Sequence, residues 1–321
     1  MSGSATATAD RRHEKYDRLI AATRDIPPVP CAVAHPCDET SLRGAVEAAE
    51  HRIIAPILVG PQHKIRATAQ ASGLDITAFE IVDVPHSHAA AAKAVELVRA
   101  GRAELLMKGS LHTDELMAEV VAKETGLRTA RRISHVFIMV VPTYPEPLLI
   151  TDAAVNIAPD LKTKVDIVQN AIDLALGLGM EQPRVAVLSA VETINLEMAT
   201  TCEAAILSKM ADRGQIKGGV IDGPFALDNA ISPAAARIKG IVSPVAGRAN
   251  ILLVPDLEAG NMLAKNLSFL ANADAAGIVL GARVPIILTS RADSVRTRMA
   301  SCAVAALYAH ARRQTAGREE P

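Results

Sequence analysis

The segment VPIILTSRADS, residues 284–294, shows the pattern that decides the fold. A short apolar run, with a strand predicted over residues 285–289, gives way at once to polar residues and then to a long Ala-rich helix, residues 294–312. An unbroken apolar strand is typical of a sheet that is buried on both faces. The same order of strand, polar junction and helix recurs along the chain, which predicts an α/β fold with parallel sheets.

Two neighbouring predicted strands depart from this alternation. Residues 133–141 and 148–155 are separated only by PTYPEP, so we expect them to form an antiparallel hairpin. Further helices are predicted over residues 113–125, 195–213 and 229–238.

Composition and charge exclude several classes of function. The chain has 34 basic and 35 acidic residues, a formal net charge of -1, and 2% aromatic residues. It therefore offers neither a long-range attraction for nucleic acid nor a platform for stacking bases. No signal peptide is evident in MSGSATATAD, and the longest apolar stretch is too short to span a bilayer. We therefore expect a protein that binds no membrane. The scattered cysteines favour free thiols in a reducing compartment, so we expect a cytoplasmic protein; they are Cys31, Cys37, Cys202 and Cys302.

Parallel sheets bind ligands at the carboxyl ends of their strands, which directs attention to the polar junctions between strand and helix. Four junctions stand out, MKGSLHTDE, VPDLEAGN, LTSRADS and LSAVETIN. In LTSRADS, the first turn of the helix has free N–H groups and the positive end of the helix dipole, Ser290 adds a hydroxyl donor, and Arg291 adds a planar fork for two phosphate oxygens. An anion site and a simple helix cap, made by Ser290 or Asp293, are both compatible with this pattern.

The junction MKGSLHT is a second candidate. Lys108 leaves an apolar strand just before Gly109, and Thr113 is placed to cap the next helix. Lys108 would hold a phosphate or pyrophosphate, unless it is a surface lysine beside a tight turn.

Polar residues also occur within otherwise apolar stretches. Asp256 and Gly260 precede or open a helix that carries Asn261 in its first turn, and Asp152 and Asn156 follow a predicted strand. Such residues are either hydrogen-bonded parts of the core or ligand contacts, and the sequence leaves both readings open.

Familiar catalytic and binding motifs are absent from the sequence. It contains no GxxxxGK[ST] phosphate loop, no complete GxGxxG fingerprint and no GxSxG elbow. His86 and His88 have no nearby third ligand and are expected to begin a surface helix, so no metal site is predicted.

Several segments together resemble the phosphate acetyl/butyryltransferase family. They are LITDAAVNIAPDLKTKVDIVQNAI, DGPFALDNAIS, LLVPDLEAGNMLAKNL and TSRADS, and the resemblance runs over residues 16–310. DGPFALDNAIS and HPCDETSLRGAVEAAE look most like the phosphate butyryltransferase branch and the acyltransferase portion of fused enoyl-CoA hydratase/phosphate acetyltransferase proteins. Because little chain precedes Cys31, no hydratase activity is expected.

The resemblance implies a fold and a reaction. The implied fold has two α/β domains flanking a cleft, similar to the isocitrate/isopropylmalate dehydrogenase architecture. The domains would be residues 1–131 with 290–321 and residues 132–289. The implied reaction converts acyl-CoA and inorganic phosphate into acyl phosphate and CoA, with an acetyl, propionyl or butyryl group. Members are usually homodimers and need no metal or prosthetic group.

The resemblance also carries over residue roles. Ser290 and Arg291 match a Ser-Arg pair that contacts CoA, phosphate and acyl phosphate. Acetyl-type members carry an arginine where Asn266-Leu267-Ser268-Phe269 stands here, and an aspartate where Thr297 stands. Asp293 is the nearest carboxylate and is the candidate substitute. These departures predict a roomier or differently charged pocket than that of acetyl-type members.

The expected mechanism is direct transfer, in which Arg291 and the helix end stabilise the oxyanion and the departing phosphate. Cys302 lies among small apolar residues and is expected to be part of the core rather than an acyl carrier. Two alternatives are a metal-dependent hydroxyacid dehydrogenase and an acyl-CoA-sensing module of the same fold with weak catalysis. The first would need clustered aspartates, and the second is compatible with the two departures.

Overall fold

The computed structural model describes residues 14–288 and 293–319, which form two compact α/β units. Unit 1 comprises the described residues up to Arg131 and from Ala276 onward, and unit 2 comprises Arg132–Ala275. The chain therefore returns to unit 1 at residue 276, before the position at 290 that the family resemblance implied.

The described part of unit 1 contains a mainly parallel sheet with the strand order β3–β2–β1–β4–β11–β10. Its strands are β1 (Val29–Ala34), β2 (Ile54–Gly60), β3 (Glu80–Asp83), β4 (Leu105–Lys108), β10 (Asp274–Leu280) and β11 (Ile286–Ile287). Its helices are α1 (Glu14–Ala22), α2 (Glu39–Glu50), α3 (Gln62–Ser72), α4 (Ser87–Arg99), α5 (Thr113–Val121) and α11 (Val295–Glu319).

The sheet of unit 2 has the strand order β5–β6–β9–β7–β8. Its strands are β5 (Ser134–Val140), β6 (Leu148–Thr151), β7 (Arg184–Leu188), β8 (Val220–Phe225) and β9 (Ile251–Leu253). Its helices are α6 (Leu161–Gly177), α7 (Ala199–Asp212), α8 (Leu227–Ile231), α9 (Pro233–Ile238) and α10 (Leu257–Leu270).

Buried strands confirm the interpretation of the apolar runs. In β1 the residues from Cys31 to Ala34 are fully buried, and all four residues of β6 are buried. Within each unit the described strands pair in parallel except for β5 with β6, which form the predicted antiparallel hairpin, and β10 with β11, a second antiparallel pair that the sequence analysis missed. A parallel partner usually requires a long crossover, so the short link between β10 and β11 explains their direction.

Local chemistry shortens three predicted elements. The strand predicted over residues 148–155 ends at Thr151, because the carboxylate of Asp152 binds the following backbone N–H groups and turns the chain. The helix predicted over residues 229–238 is divided at Ser232, which caps a new helix with proline in its first turn. The helix predicted over residues 195–213 begins only at Ala199.

No helix in the described ranges is long and apolar enough to cross a membrane.

Candidate active site

The loops that follow β1 and β4 in unit 1 lie in direct contact. The Gly109 N–H donates to the carbonyl oxygen of Ala34 at 2.8 Å. A Cβ atom on Gly109 would lie 2.3 Å from that oxygen and 2.6 Å from the carbonyl oxygen of His35, so only glycine fits here. The two loops, residues 35–38 and 108–113, are called the β1/β4 junction below.

Ser110 ties this junction together. Its hydroxyl donates to the His35 carbonyl oxygen at 2.7 Å and accepts from the Cys37 N–H at 3.1 Å. The Ser110 Oγ also lies 3.1 Å from Nδ1 of His35, and the Ser110 N–H donates to the His35 carbonyl oxygen at 2.9 Å. The β1/β4 junction is therefore held by side-chain as well as backbone bonds.

Lys108 is 6% exposed at the end of β4, so it is not the surface lysine that one reading of the sequence allowed. Its ammonium group donates to the carbonyl oxygens of Gly109 at 3.3 Å and Leu111 at 3.1 Å. The loop thus fixes a positive charge at the carboxyl edge of the sheet, where parallel sheets bind ligands.

The predicted cap at Thr113 is wrong. His112 occupies the N-cap position of α5, its side chain makes no capping bond, and Thr113 is the first helical residue, with an exposed side chain. The helix also ends at Val121, short of the predicted residue 125.

In unit 2, the loops that follow β6 and β9 form a second polar cluster, called the β6/β9 junction below. Asp152 is 2% exposed, and its carboxylate accepts from the backbone N–H groups of Ala154, Val155 and Asn156 and from the side-chain amide of Asn156. The same amide nitrogen donates to the carbonyl oxygen of Ile133 at 2.9 Å. Asp152 and Asn156 therefore shape this loop by binding each other and the backbone.

The first turn of α10 lies against the loop after β6. Asp256 caps α10 by accepting from the Ala259 N–H at 2.8 Å. Asn261 donates from its amide to the Ala153 carbonyl oxygen at 3.2 Å, and a Cβ on Gly260 would lie 2.9 Å from the Cβ of Ala153. The structure thus brings together five residues that the sequence singled out: Asp152, Asn156, Asp256, Gly260, Asn261.

His135 in β5 is a buried neighbour of Asp152. It is 1% exposed, and its Nδ1 has no hydrogen-bond partner within the described ranges. Burial lowers the pKa of His135 to about 4, against the opposing charge of Asp152. The imidazole is therefore neutral near pH 7.

The third candidate junction is only partly visible. Ser290 and Arg291 lie outside the described residues. After them, Asp293 is half-buried, and Ser294 caps α11 by accepting from the Thr297 N–H at 3.2 Å. Ser294 is thus a cap of α11 that the sequence analysis did not name.

Cys302 belongs to the core, as predicted. It is fully buried in α11, and burial raises the pKa of its thiol to about 12, which keeps it protonated near neutral pH. Among residues 14–288 and 293–319, no three His, Cys, Asp or Glu side chains are grouped as metal ligands would be.

Two residues of the β1/β4 junction were missed by sequence reasoning. His35 has a left-handed backbone, with φ of 55°, and Ser110 links both loops. A histidine directly before a proline at the end of an apolar strand was the available signal, together with the serine after Gly109.

The structure shows an α/β protein with polar junctions at the carboxyl ends of parallel strands, and comparison with known proteins assigns the class. The chain belongs to the phosphate acetyl/butaryl transferase family, whose model matches residues 86–306.

Individual relatives agree with this assignment. The chain is 71% identical to a phosphate acetyltransferase of Rhizobium meliloti over 93% of this chain and 95% of the relative. It is 44% identical to a phosphate butyryltransferase of Clostridium beijerinckii over 92% of this chain and 98% of the relative. A crystal structure of a branched-chain phosphotransacylase from Enterococcus faecalis V583 matches with a TM-score of 0.77 and 30% identity, covering 88% of this chain and 99% of that chain.

These identities bear on the two departures from acetyl-type members. A relative named phosphate acetyltransferase is far more similar to this chain than one named phosphate butyryltransferase. The roomier or differently charged pocket expected from residues 266–269 and Thr297 stays a prediction.

Proposed function

We propose that this protein transfers a short acyl group reversibly between CoA and inorganic phosphate. The observation that carries this proposal is the 71% identity to a phosphate acetyltransferase across nearly the whole of both chains. Acetyl is accordingly the first candidate for the acyl group, followed by propionyl and butyryl.

The residues of the two junctions fit the substrates of this reaction. Lys108 fixes a positive charge at a strand end, which suits phosphate or the pyrophosphate of CoA. Arg291 and Ser290 are proposed to bind the reacting phosphate at the start of α11, with Asp293 close by in sequence. The bonds of Asp152, Asn156 and Asp256 favour a role in holding the loops, whereas Gly260 lets α10 approach Ala153 closely.

The remaining assignments are proposals that rest on the family. We propose the isocitrate/isopropylmalate dehydrogenase-like architecture, with the compact units as domains and a return near residue 276. We also propose a cytoplasmic homodimer that acts on acyl-CoA, phosphate and acyl phosphate without a resident metal or prosthetic group. Substrate binding by Gly109 and Thr113 is part of the same proposal.

The test is phosphate-dependent release of free thiol from acetyl-, propionyl- and butyryl-CoA, followed with a thiol reagent. We expect release that requires phosphate, with acetyl-CoA giving the highest kcat/KM. Arg291→Ala should lower turnover about 10²-fold, as expected for the loss of a charge donor in the transition state. This decrease would also show that the activity comes from this protein. Binding of acyl-CoA without thiol release from any of the three would refute the proposal.

A further inference from the structure

His35 lies at the centre of the β1/β4 junction, yet the proposed roles above leave its side chain unused. It follows β1 directly and holds φ at 55°, a left-handed conformation that few residues with a Cβ adopt. Such conformations persist only where the surroundings enforce them, and they concentrate at functional sites. The bonds from Gly109 and Ser110 are what enforce it here.

The strand order places His35 at the edge where the phosphate-binding residues are expected. β1 pairs in parallel with β4, with Ala34 opposite Lys108, and β4 pairs in parallel with β11, with Met107 opposite Ile287. The chain therefore leaves three adjacent strands at one edge of the unit 1 sheet. In the sequence, Ser290 and Arg291 come shortly after the third of these strands.

The bonds of Ser110 fix the tautomer of His35. A serine hydroxyl has a single proton, and Ser110 gives it to the His35 carbonyl oxygen at 2.7 Å. The contact of 3.1 Å between the Ser110 Oγ and Nδ1 of His35 then requires that Nδ1 carries the proton and donates it. In the neutral ring Nε2 is consequently the basic nitrogen, with a lone pair.

This lone pair is available. No hydrogen bond to Nε2 is formed by any residue in the described ranges, and the side chain is only half-buried. Nε2 is therefore basic and has no partner among residues 14–288 and 293–319.

The charges around His35 keep the ring neutral near pH 7. Burial lowers the pKa of His35, and Lys64 on α3 lowers it further, whereas Glu115 on α5 and Asp38 before α2 raise it. The net direction is downward, so the ring is in the form that can take a proton.

We propose that Nε2 of His35 is the general base that accepts the thiol proton of CoA. This inference rests on the proposed function. Its physical basis is the basic, unbonded Nε2 of a half-buried ring at the end of β1.

The proposed step starts from the CoA thiol and the acyl phosphate. The thiol proton moves to Nε2 while the sulfur attacks the carbonyl carbon of the acyl phosphate, and the C–O bond to phosphate then breaks. The imidazolium returns the proton to the departing phosphate, which leaves as hydrogen phosphate. In the opposite direction the neutral imidazole takes the proton of hydrogen phosphate while a phosphate oxygen attacks the thioester carbonyl carbon. The C–S bond then breaks, and the imidazolium protonates the CoA thiolate as it leaves.

The test compares wild type with His35→Asn in the direction that consumes acetyl phosphate and CoA. Asparagine tolerates positive φ, and its amide can donate to Ser110, but it cannot act as a base. His51→Asn is the matched control, since His51 is exposed at the end of α2 and bonds only the backbone oxygen of Glu47. We expect His35→Asn to lower kcat by about 10²- to 10⁴-fold at pH 7 and His51→Asn to leave it unchanged.

The pH dependence separates a base from a merely structural residue. Without a base the reaction must wait for thiolate, whose population rises about tenfold per pH unit up to the thiol pKa of about 8.5. The ratio of wild-type to His35→Asn turnover should therefore fall by about tenfold per unit between pH 7 and 8.5. A ratio that stays constant with pH, or a loss below about fivefold at pH 7, overturns the proposal.

A second variant covers the case in which His35→Asn does not fold. His35→Gly suits the left-handed backbone, and added imidazole should restore part of its activity. A folded His35→Gly protein that is as active as wild type, or that imidazole does not rescue, would contradict the proposed base. Absence of transfer activity in wild type would instead refute the proposed function, so the two failures are distinguishable.

Discussion

Replacing Asp152 with asparagine tests whether this residue is mainly structural. In the native protein one oxygen, Oδ1, accepts from the N–H groups of Ala154 and Val155, and the other, Oδ2, accepts from the N–H and the side-chain amide of Asn156. Asparagine keeps one acceptor oxygen but puts an NH₂ group where the other stood. The two N–H donors that the lost oxygen accepted would then face the new NH₂ group, in a site that is 2% exposed.

The expected cost follows from these two lost bonds. A hydrogen bond to a charged group contributes about 1.5–3 kcal/mol, so the loss of two predicts a destabilisation of about 3–6 kcal/mol. That is a large fraction of the 5–15 kcal/mol by which proteins are typically stable. The Asn261 bond to Ala153 should weaken as well, because the loop that presents the Ala153 carbonyl oxygen is shaped by Asp152.

The assay is urea unfolding of wild type and Asp152→Asn, followed by circular dichroism at pH 7. Asp160→Asn is the matched control, because Asp160 is an exposed helix cap that uses one oxygen and asparagine caps equally well. The control should change the free energy of unfolding by less than about 0.5 kcal/mol. If Asp152→Asn costs less than about 1 kcal/mol while activity collapses, Asp152 contacts substrate and the structural reading is wrong.

Two further predictions concern the other buried groups. Gly109→Ala should destabilise by about 1–3 kcal/mol and lower activity, because the new Cβ would lie 2.3 Å from the Ala34 oxygen. Gly101→Ala, with φ of 71° and open space around it, should cost only about 1 kcal/mol and spare activity, and equal costs in the two variants would contradict the crowding argument. Burial lowers the pKa of His135 from 6.5 to about 4. Its contribution to the free energy of unfolding should therefore be constant above pH 6.5. As the pH falls to about 4, the free energy of unfolding should decrease by roughly 3 kcal/mol, because the unfolded state takes the proton first. His135→Leu should remove that part of the pH dependence in unfolding experiments, and an unchanged dependence would show that His135 is not buried neutral.

Much of the fold was predictable because its signals are local. The apolar runs at residues 133–141 and 285–289 gave β5 and β11 within a few residues, and the short PTYPEP link gave the hairpin of β5 and β6. The antiparallel pairing of β10 with β11 was missed although the same signal was present, because residues 281–285 form a link as short as PTYPEP.

The site was predicted by position but not by role. The sequence placed Lys108 and Asp152 correctly at strand ends. It could not show that Asp152 binds its own loop, because an aspartate at a strand end is equally compatible with a ligand contact. His35 and Ser110 were missed because their bond joins residues that are 75 positions apart.

The discontinuity of unit 1 has a consequence for biosynthesis. All of unit 2 is synthesised before β11 and α11, and α11 supplies fully buried residues of the unit 1 core, among them Cys302 and Val304. The nascent residues of unit 1 therefore expose an apolar face until α11 is synthesised, whereas unit 2 can fold earlier. During translation, the first half of the chain is consequently the part most in need of a chaperone.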